Sequence, residues 1–151
     1  MTHEIIGENA MKAWAEQLGV CLAGGELIEL IGDVGAGKTT LVKGLAVGLG
    51  IDEDIQSPSF TISRVYDARN DLQMAHYDFY RLHDAGIMAD EIREVMDDPR
   101  SIVVIEWANI VNDVLPADRL TIRITSPTET TRVITLEAGG VMSQALLEKL
   151  A

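Results

Sequence analysis

Apolar positions along the chain follow two rhythms, one helical and one extended. Met11, Trp14, Ala15 and Leu18 recur at i, i+3, i+4 and i+7, which predicts an amphipathic helix ending near Gly19. Gly24 and Gly25 predict a turn, and residues 26–31 read as a short buried strand. Leu41, Leu45, Ala46 and Leu49 mark a second helix over residues 38–50. Segments 61–67 and 72–80 flank Arg69-Asn70-Asp71 as the two strands of a hairpin. Ile87, Glu91 and Val95 place a helix over 88–96, and Asp98-Pro99 stops it. Residues 101–106 form an unbroken apolar run, the pattern of a parallel strand covered on both faces. A short helix over 108–115 follows. Leu120, Ile122 and Ile124 alternate with polar residues, and a strand over 131–137 returns across the Ser126-Pro127 turn. Residues 141–150 close the chain as a helix. The sum predicts an α/β fold whose mixed sheet has parallel central strands and antiparallel edges.

Composition narrows the function. With 151 residues, 47% of them hydrophobic and 24% charged, and without repeat or Pro/Gly-rich linker, residues 1–151 are expected to form a single folded domain. The net charge of −12 excludes an open basic face for nucleic acid, so any bound anion needs a local device that overcomes the global field. Cys21, the one cysteine, cannot form an internal disulfide and reads as a small buried apolar residue, and no Cys/His cluster has zinc spacing. The N-terminal residues lack a basic, then apolar, leader pattern. The central aliphatic run of residues 102–105 is far below the roughly 18 residues that span a bilayer. A cytoplasmic protein is expected.

The local device is visible. Gly32-Asp33-Val34-Gly35-Ala36-Gly37-Lys38-Thr39 matches G-x-x-x-x-G-K-[ST], between a predicted strand and a predicted helix. Gly35 and Gly37 let the backbone turn and bring its N–H groups around a phosphate with no Cβ in the way, Ala36 lying between them. The helix N-terminus adds positive potential there. Lys38 is expected to reach the β- and γ-phosphates, the Thr39 hydroxyl to bind Mg²⁺, and Thr40 to bond an α-phosphate oxygen.

A triphosphate site needs a further carboxylate near the metal, at the end of a neighbouring buried strand. Glu106, ending the 101–106 strand, fits that role. Trp107 beside it reads first as a core tryptophan. His76 and Asp78 share one face of their strand by period 2; Asp78 could orient water or act as base, while His76 reads as a packed, hydrogen-bonded residue. Ser57-Pro58-Ser59-Phe60 lies where switch loops lie in P-loop enzymes; a hydroxyl there could sense a γ-phosphate, and an ordinary Pro-containing loop is the other reading.

Together, residues 32–40, Ser-Pro-Ser-Phe at 57–60, His-Tyr-Asp-Phe-Tyr-Arg at 76–81 and Ile-Glu-Trp at 105–107 resemble the four signatures of the bacterial TsaE (YjeE) family, in order and spacing. The final Leu-Pro-Ala-Asp-Arg-Leu region is similar as well. The resemblance implies a three-layer P-loop NTPase-like fold and a Mg²⁺-dependent ATPase that assists threonylcarbamoylation of the adenosine next to the anticodon of tRNAs. It implies two protein partners, a TsaD-like transferase and its TsaB-like paralogue, with tRNA met only through them and ATP turnover supporting repeated cycles. It places nucleotide on Gly35 to Thr40 and Mg²⁺ on Thr39 and Glu106. It makes Lys38, Asp78 and Glu106 the catalytic set, Trp107 a reporter of the site, and Glu8 a neighbour of the base. Two positions depart from the family pattern: Ser59 stands where threonine is usual, and Met11 replaces a first-helix threonine.

Two other classes use the same loop. A small nucleotide or metabolite kinase needs an acceptor pocket and an arginine-rich lid, but Arg64, Arg69, Arg81, Arg93 and Arg100 are scattered and little length remains for a lid. A nucleotide-operated binding switch is the other class; the Asn-Lys-x-Asp motif that reads guanine is absent.

Overall fold

The computed structural model describes residues 1–151 apart from Val34 and Ser59. Its strands are β1 (Thr2–Ile6), β2 (Leu27–Ile31), β3 (Ser63–Asp67), β4 (Gln73–Asp78), β5 (Ser101–Glu106), β6 (Leu120–Thr125) and β7 (Thr131–Ala138). They form one sheet in the order β1-β7-β6-β2-β5-β4-β3. The four central strands β6, β2, β5 and β4 run parallel; β7 and β1 on one side and β3 on the other are antiparallel. The expected mixed sheet is therefore present. All six residues of β5 are buried, as its continuous apolar run requires, whereas β6 alternates buried and more accessible residues.

Helices α1 (Glu8–Cys21), α2 (Lys38–Gly48) and α4 (Val141–Leu150) cover one face, and α3 (Met88–Asp97) with a 3-10 segment, Ala108–Val114, lies on the other. Period 2 divides the strands between two cores. Met74, Ile102, Val104, Ile28 and Leu30 pack with Leu18, Leu41 and Leu45 under α1 and α2. Ala75, Tyr77, Val103 and Ile105 pack with Ile92 and Val111 on the opposite face. Three layers result.

Gly19 corrects the sequence reading. It does not end α1, which runs two residues further to Cys21. A Cβ on Gly19 would lie 2.5 Å from the Leu45 carbonyl oxygen, so the glycine is there to let α1 and α2 touch backbone to backbone. Arg69 then closes both helix ends. Its guanidinium donates to the carbonyls of Gly19, Val20 and Leu22 at the end of α1 and of Gly48 in α2. These carbonyls lie at the negative ends of both helices, where intrahelical donors run out; the Gly19 oxygen also accepts from the Leu22 N–H at 3.2 Å. Strand β1 has no counterpart in the sequence reading, because only Ile5 of its five residues is buried.

At the other end, Asp118 caps α4 from outside. It accepts from the Ser143 hydroxyl and from the N–H groups of Ser143 and Met142, and these bonds hold its carboxyl below the usual carboxylate range.

Tyr77 is fully buried in the α3-side core, and its hydroxyl has no hydrogen-bond partner among the described residues. Burial, with a smaller contribution from Glu91, pushes the phenol from 10.0 up to about 12. A raised folded value holds the proton more tightly in the native state, so its contribution is complete below pH 10 and is lost as pH rises toward 12. Tyr77→Phe is expected to leave the fold intact at neutral pH and to flatten the fall in stability between those values, read from urea unfolding across the range. An unchanged alkaline slope would contradict this.

Candidate functional site

The parallel strands end on one side of the sheet, and β2 enters residues 32–37 there. Gly35 has φ +83° and Gly37 φ +106°, left-handed values that an L side chain rarely adopts. Gly37 is the N-cap of α2 in that conformation. The turn therefore delivers the positive end of an 11-residue helix to the strand ends.

Gly35, Gly37, Lys38, Thr39, Thr40, Asp78 and Glu106 line one cleft of about 490 Å³, with Ser57, Phe60, Tyr80, Arg81 and Trp107 completing the wall. The structure thus brings most of the predicted site residues together. Ala36 is buried beneath the loop, its carbonyl accepting from Arg132 Nε at 2.9 Å. Glu8 opens instead onto an adjoining cavity of about 300 Å³ that shares Gly35, Gly37 and Thr40 with the cleft, and it pairs with Lys12 at 3.5 Å. Met11 lines that second cavity too. The expectation for the Ser59 hydroxyl falls outside the described residues.

Lys38 is the electrostatic centre. Its Nζ donates to the Gly32 carbonyl at 2.7 Å, lies 3.8 Å from Glu106 Oε1, and sits 4.4 Å from the centre of the Trp107 ring. The ammonium is thus held by a dipole, a carboxylate and an aromatic face at once. Trp107 is consequently not simply the core residue first expected. It is half-buried, leans on the α3-side core, and stacks near Tyr80 with centroids 4.9 Å apart. Its backbone is left-handed at φ 58°, which turns the chain sharply at the end of β5.

Register explains the carboxylates. Asp78 is opposite Glu106 across β4 and β5, and both side chains lie on the α1–α2 face. Asp78 Oδ1 accepts from the Tyr80 N–H at 3.0 Å. Its own N–H donates at 2.9 Å to the carbonyl of Ile62, a β-branched residue at φ 70°. Glu106 is buried and accepts from His76 Nε2 at 2.6 Å.

Four residues at the site carry no individual role in the sequence reading, although three of them lie within the quoted motifs. Phe60 and Tyr80 are exposed aromatics on the rim, and Arg81 lies over the Phe60 ring at 4.5 Å. Arg132 belongs to β7 and sends its Nη1 to the carbonyls of Thr128, Glu129 and Thr131 while Nε holds Ala36. No local pattern marks it, since Ala36 is 96 positions away.

Among the described residues, no group of three or more His, Cys, Asp or Glu converges into a metal cage. The hard-oxygen donors in the cleft, the Thr39 hydroxyl and the Glu106 and Asp78 carboxylates, fit an ion such as Mg²⁺. That ion takes one or two protein oxygens and completes its shell with water and phosphate. No helix among the described residues is long and apolar enough to cross a membrane.

Comparison with known proteins bears on the family and the fold. The family model for "Threonylcarbamoyl adenosine biosynthesis protein TsaE" matches residues 5–134. The tRNA threonylcarbamoyladenosine biosynthesis protein TsaE of Bacillus subtilis is 38% identical over 131 residues, covering 84% of this chain and 78% of that protein. The protein of the same name from Treponema pallidum is 38% identical over 123 residues, covering 82% and 90%. The crystal structure of Bacillus subtilis YdiB superposes with a TM-score of 0.82 at 31% identity, over 99% of this chain and 93% of that one. Profile, sequence and structure coincide over nearly the whole length, and the chain belongs to the TsaE family.

Proposed function

We propose that this chain is a Mg²⁺-dependent ATPase of tRNA threonylcarbamoyladenosine biosynthesis that supports turnover of a TsaD-like transferase bound to its TsaB-like paralogue. The observation that carries the reading is the convergence of Lys38, Thr39, Asp78 and Glu106 on one cleft above the N-terminus of α2. The family membership and the names of the relatives supply the biosynthetic context.

In this reading the N–H groups of residues 35–40 and the α2 dipole hold the phosphates. Lys38, steadied by Trp107, offsets β/γ charge. Thr39 and Glu106 would hold Mg²⁺, which supplies further neutralisation of phosphate charge. Asp78, fixed by the Tyr80 N–H, orients water or meets a partner surface. Glu8 and the cavity beside the loop receive the base. The charge of −12 is suited to a protein that meets tRNA only through its partners.

The test is reconstitution. The chain, ATP, Mg²⁺, transferase, paralogue, tRNA and a threonylcarbamoyl donor are combined, and phosphate release and modified adenosine are counted. The expected result is phosphate release that rises when both partners are added, and more than one product per transferase only when the chain is present. Single turnover with and without the chain, or phosphorylation of a metabolite by the chain alone, would overturn the proposal.

A further inference from the structure

His76 is fully buried on β4, on the same face as Asp78 and two residues before it. Its Nε2 lies 2.6 Å from Glu106 Oε2. A carboxylate can only accept here, so Nε2 carries the proton and donates it. The other ring nitrogen, Nδ1, is buried with no hydrogen-bond partner among the described residues. An imidazole retained for packing alone gives no reason to leave one nitrogen orphaned, since an apolar residue beside Met74 and Val104 would fill the space without that penalty. The arrangement makes sense if the Nε2 donor is what the site needs.

Glu106 shows why. It is the last residue of β5, carries three side-chain torsions, and has its two oxygens in different company. Oε2 is taken by His76, and Oε1 faces Lys38 Nζ at 3.8 Å. Without the imidazole, either oxygen could turn to Lys38 and the carboxylate would sample several rotamers. With it, one oxygen is tied down and the other is left on the Lys38 side of the cleft.

We propose that His76 is a positioning residue whose Nε2–H fixes Oε2 of Glu106 and so leaves Oε1 as the oxygen available to a divalent cation. This rests on the reading of Glu106 as the metal-facing carboxylate. His76 itself touches neither nucleotide nor metal. It acts through Glu106, as an outer partner orients a ligand.

The experiment compares wild type with Glu106→Ala, His76→Leu and His76→Gln. ADP affinity is followed by tryptophan emission in Mg²⁺ and again in EDTA, and the ratio is the gain due to the metal. Glu106→Ala is expected to lose that gain. His76→Leu is expected to reduce it by roughly tenfold, the usual loss when an outer partner of a metal ligand is removed, with affinity in EDTA unchanged. His76→Gln, whose amide N–H reaches about as far as Nε2, is expected to keep most of it. A gain retained in His76→Leu but lost in Glu106→Ala overturns this inference and leaves the reading of Glu106 standing. A gain retained in Glu106→Ala overturns that reading instead. Equal loss in the leucine and glutamine variants makes His76 a packing residue and also overturns the inference. Should His76→Leu fail to fold, ring ¹⁵N NMR of the wild type decides: Nε2 protonated, with its proton resonance moving in Glu106→Gln, is the expected result, and an Nδ1–H tautomer overturns it.

Discussion

Lys38→Ala is expected to weaken nucleotide binding by about a hundredfold or more, and to stop hydrolysis even with partners present, because a charge-assisted contact to the phosphates disappears from a partly desolvated site. The structure explains why no neighbour substitutes. Arg81, the next cation along the wall, lies over Phe60 on the rim, and Arg132 spends its guanidinium on four backbone carbonyls. The α2 dipole and the loop N–H groups remain, so residual binding is expected to be weak rather than nil. Removal of the ammonium also leaves Glu106, among the described residues, with His76 as its side-chain partner, and adds one more negative potential facing the phosphates. Calorimetric titration with ADP and ATP, with thermal melting as the control for folding, checks this. Wild-type affinity in a folded Lys38→Ala protein would remove the basis for placing phosphate at this loop.

Gly48→Ala is expected to be strongly destabilising and to disturb the phosphate loop as well. Alanine is favoured over glycine in a helix by about 1 kcal/mol, so propensity alone would predict a gain. Space decides otherwise. The added Cβ would meet the Glu16 carbonyl oxygen, the Val20 nitrogen at 2.8 Å and the Gly19 carbonyl carbon at 2.9 Å, all of them backbone atoms of α1 with no rotamer through which to yield. The two helices must move apart, at a net cost of about 2–4 kcal/mol for overpacking a close contact. Arg69 spans the same junction, so its bonds to both helix ends stretch as well. Since α2 begins at Lys38, the expected signature is lower stability by denaturant unfolding together with a loss of nucleotide affinity. Val47→Ala on the exposed side of the same helix should show neither. Unchanged stability in Gly48→Ala would mean that α1 and α2 do not cross as described.

How much of this was legible in the residues depends on how local each cause is. The loop at 32–40, the helix behind it and the β5 strand ending in Glu106 all follow from short-range spacing, and the structure gathers them. The alternation in residues 120–124 and 131–137 gave the antiparallel side in the same way. Gly19 was misread because sequence does not distinguish a glycine that ends a helix from one that lets another helix approach; only the facing Leu45 carbonyl does. Strand β1 was missed because it pairs at the sheet edge with β7 and buries one side chain, which leaves little apolar pattern to detect. His76 was read as a packed, hydrogen-bonded histidine, and its burial and its bond to Glu106 agree with that; the identity of the partner is what no local pattern supplies. Its bond to Glu106 joins residues 30 apart, and neither strand announces the other. The same applies to Trp107, whose place over Lys38 depends on a left-handed turn that no residue preference predicts for tryptophan.

Arg132 changes what the phosphate loop means as a unit of design. The carbonyl of Ala36 is braced from outside by a side chain on the far antiparallel ribbon, and that side chain is itself anchored in the turn at 128–131. The nonapeptide 32–40, transplanted into another β-α junction, would arrive without its buttress. Conversely, a library that randomises the 126–131 turn would select variants by nucleotide affinity even though none of its altered side chains need reach the phosphates.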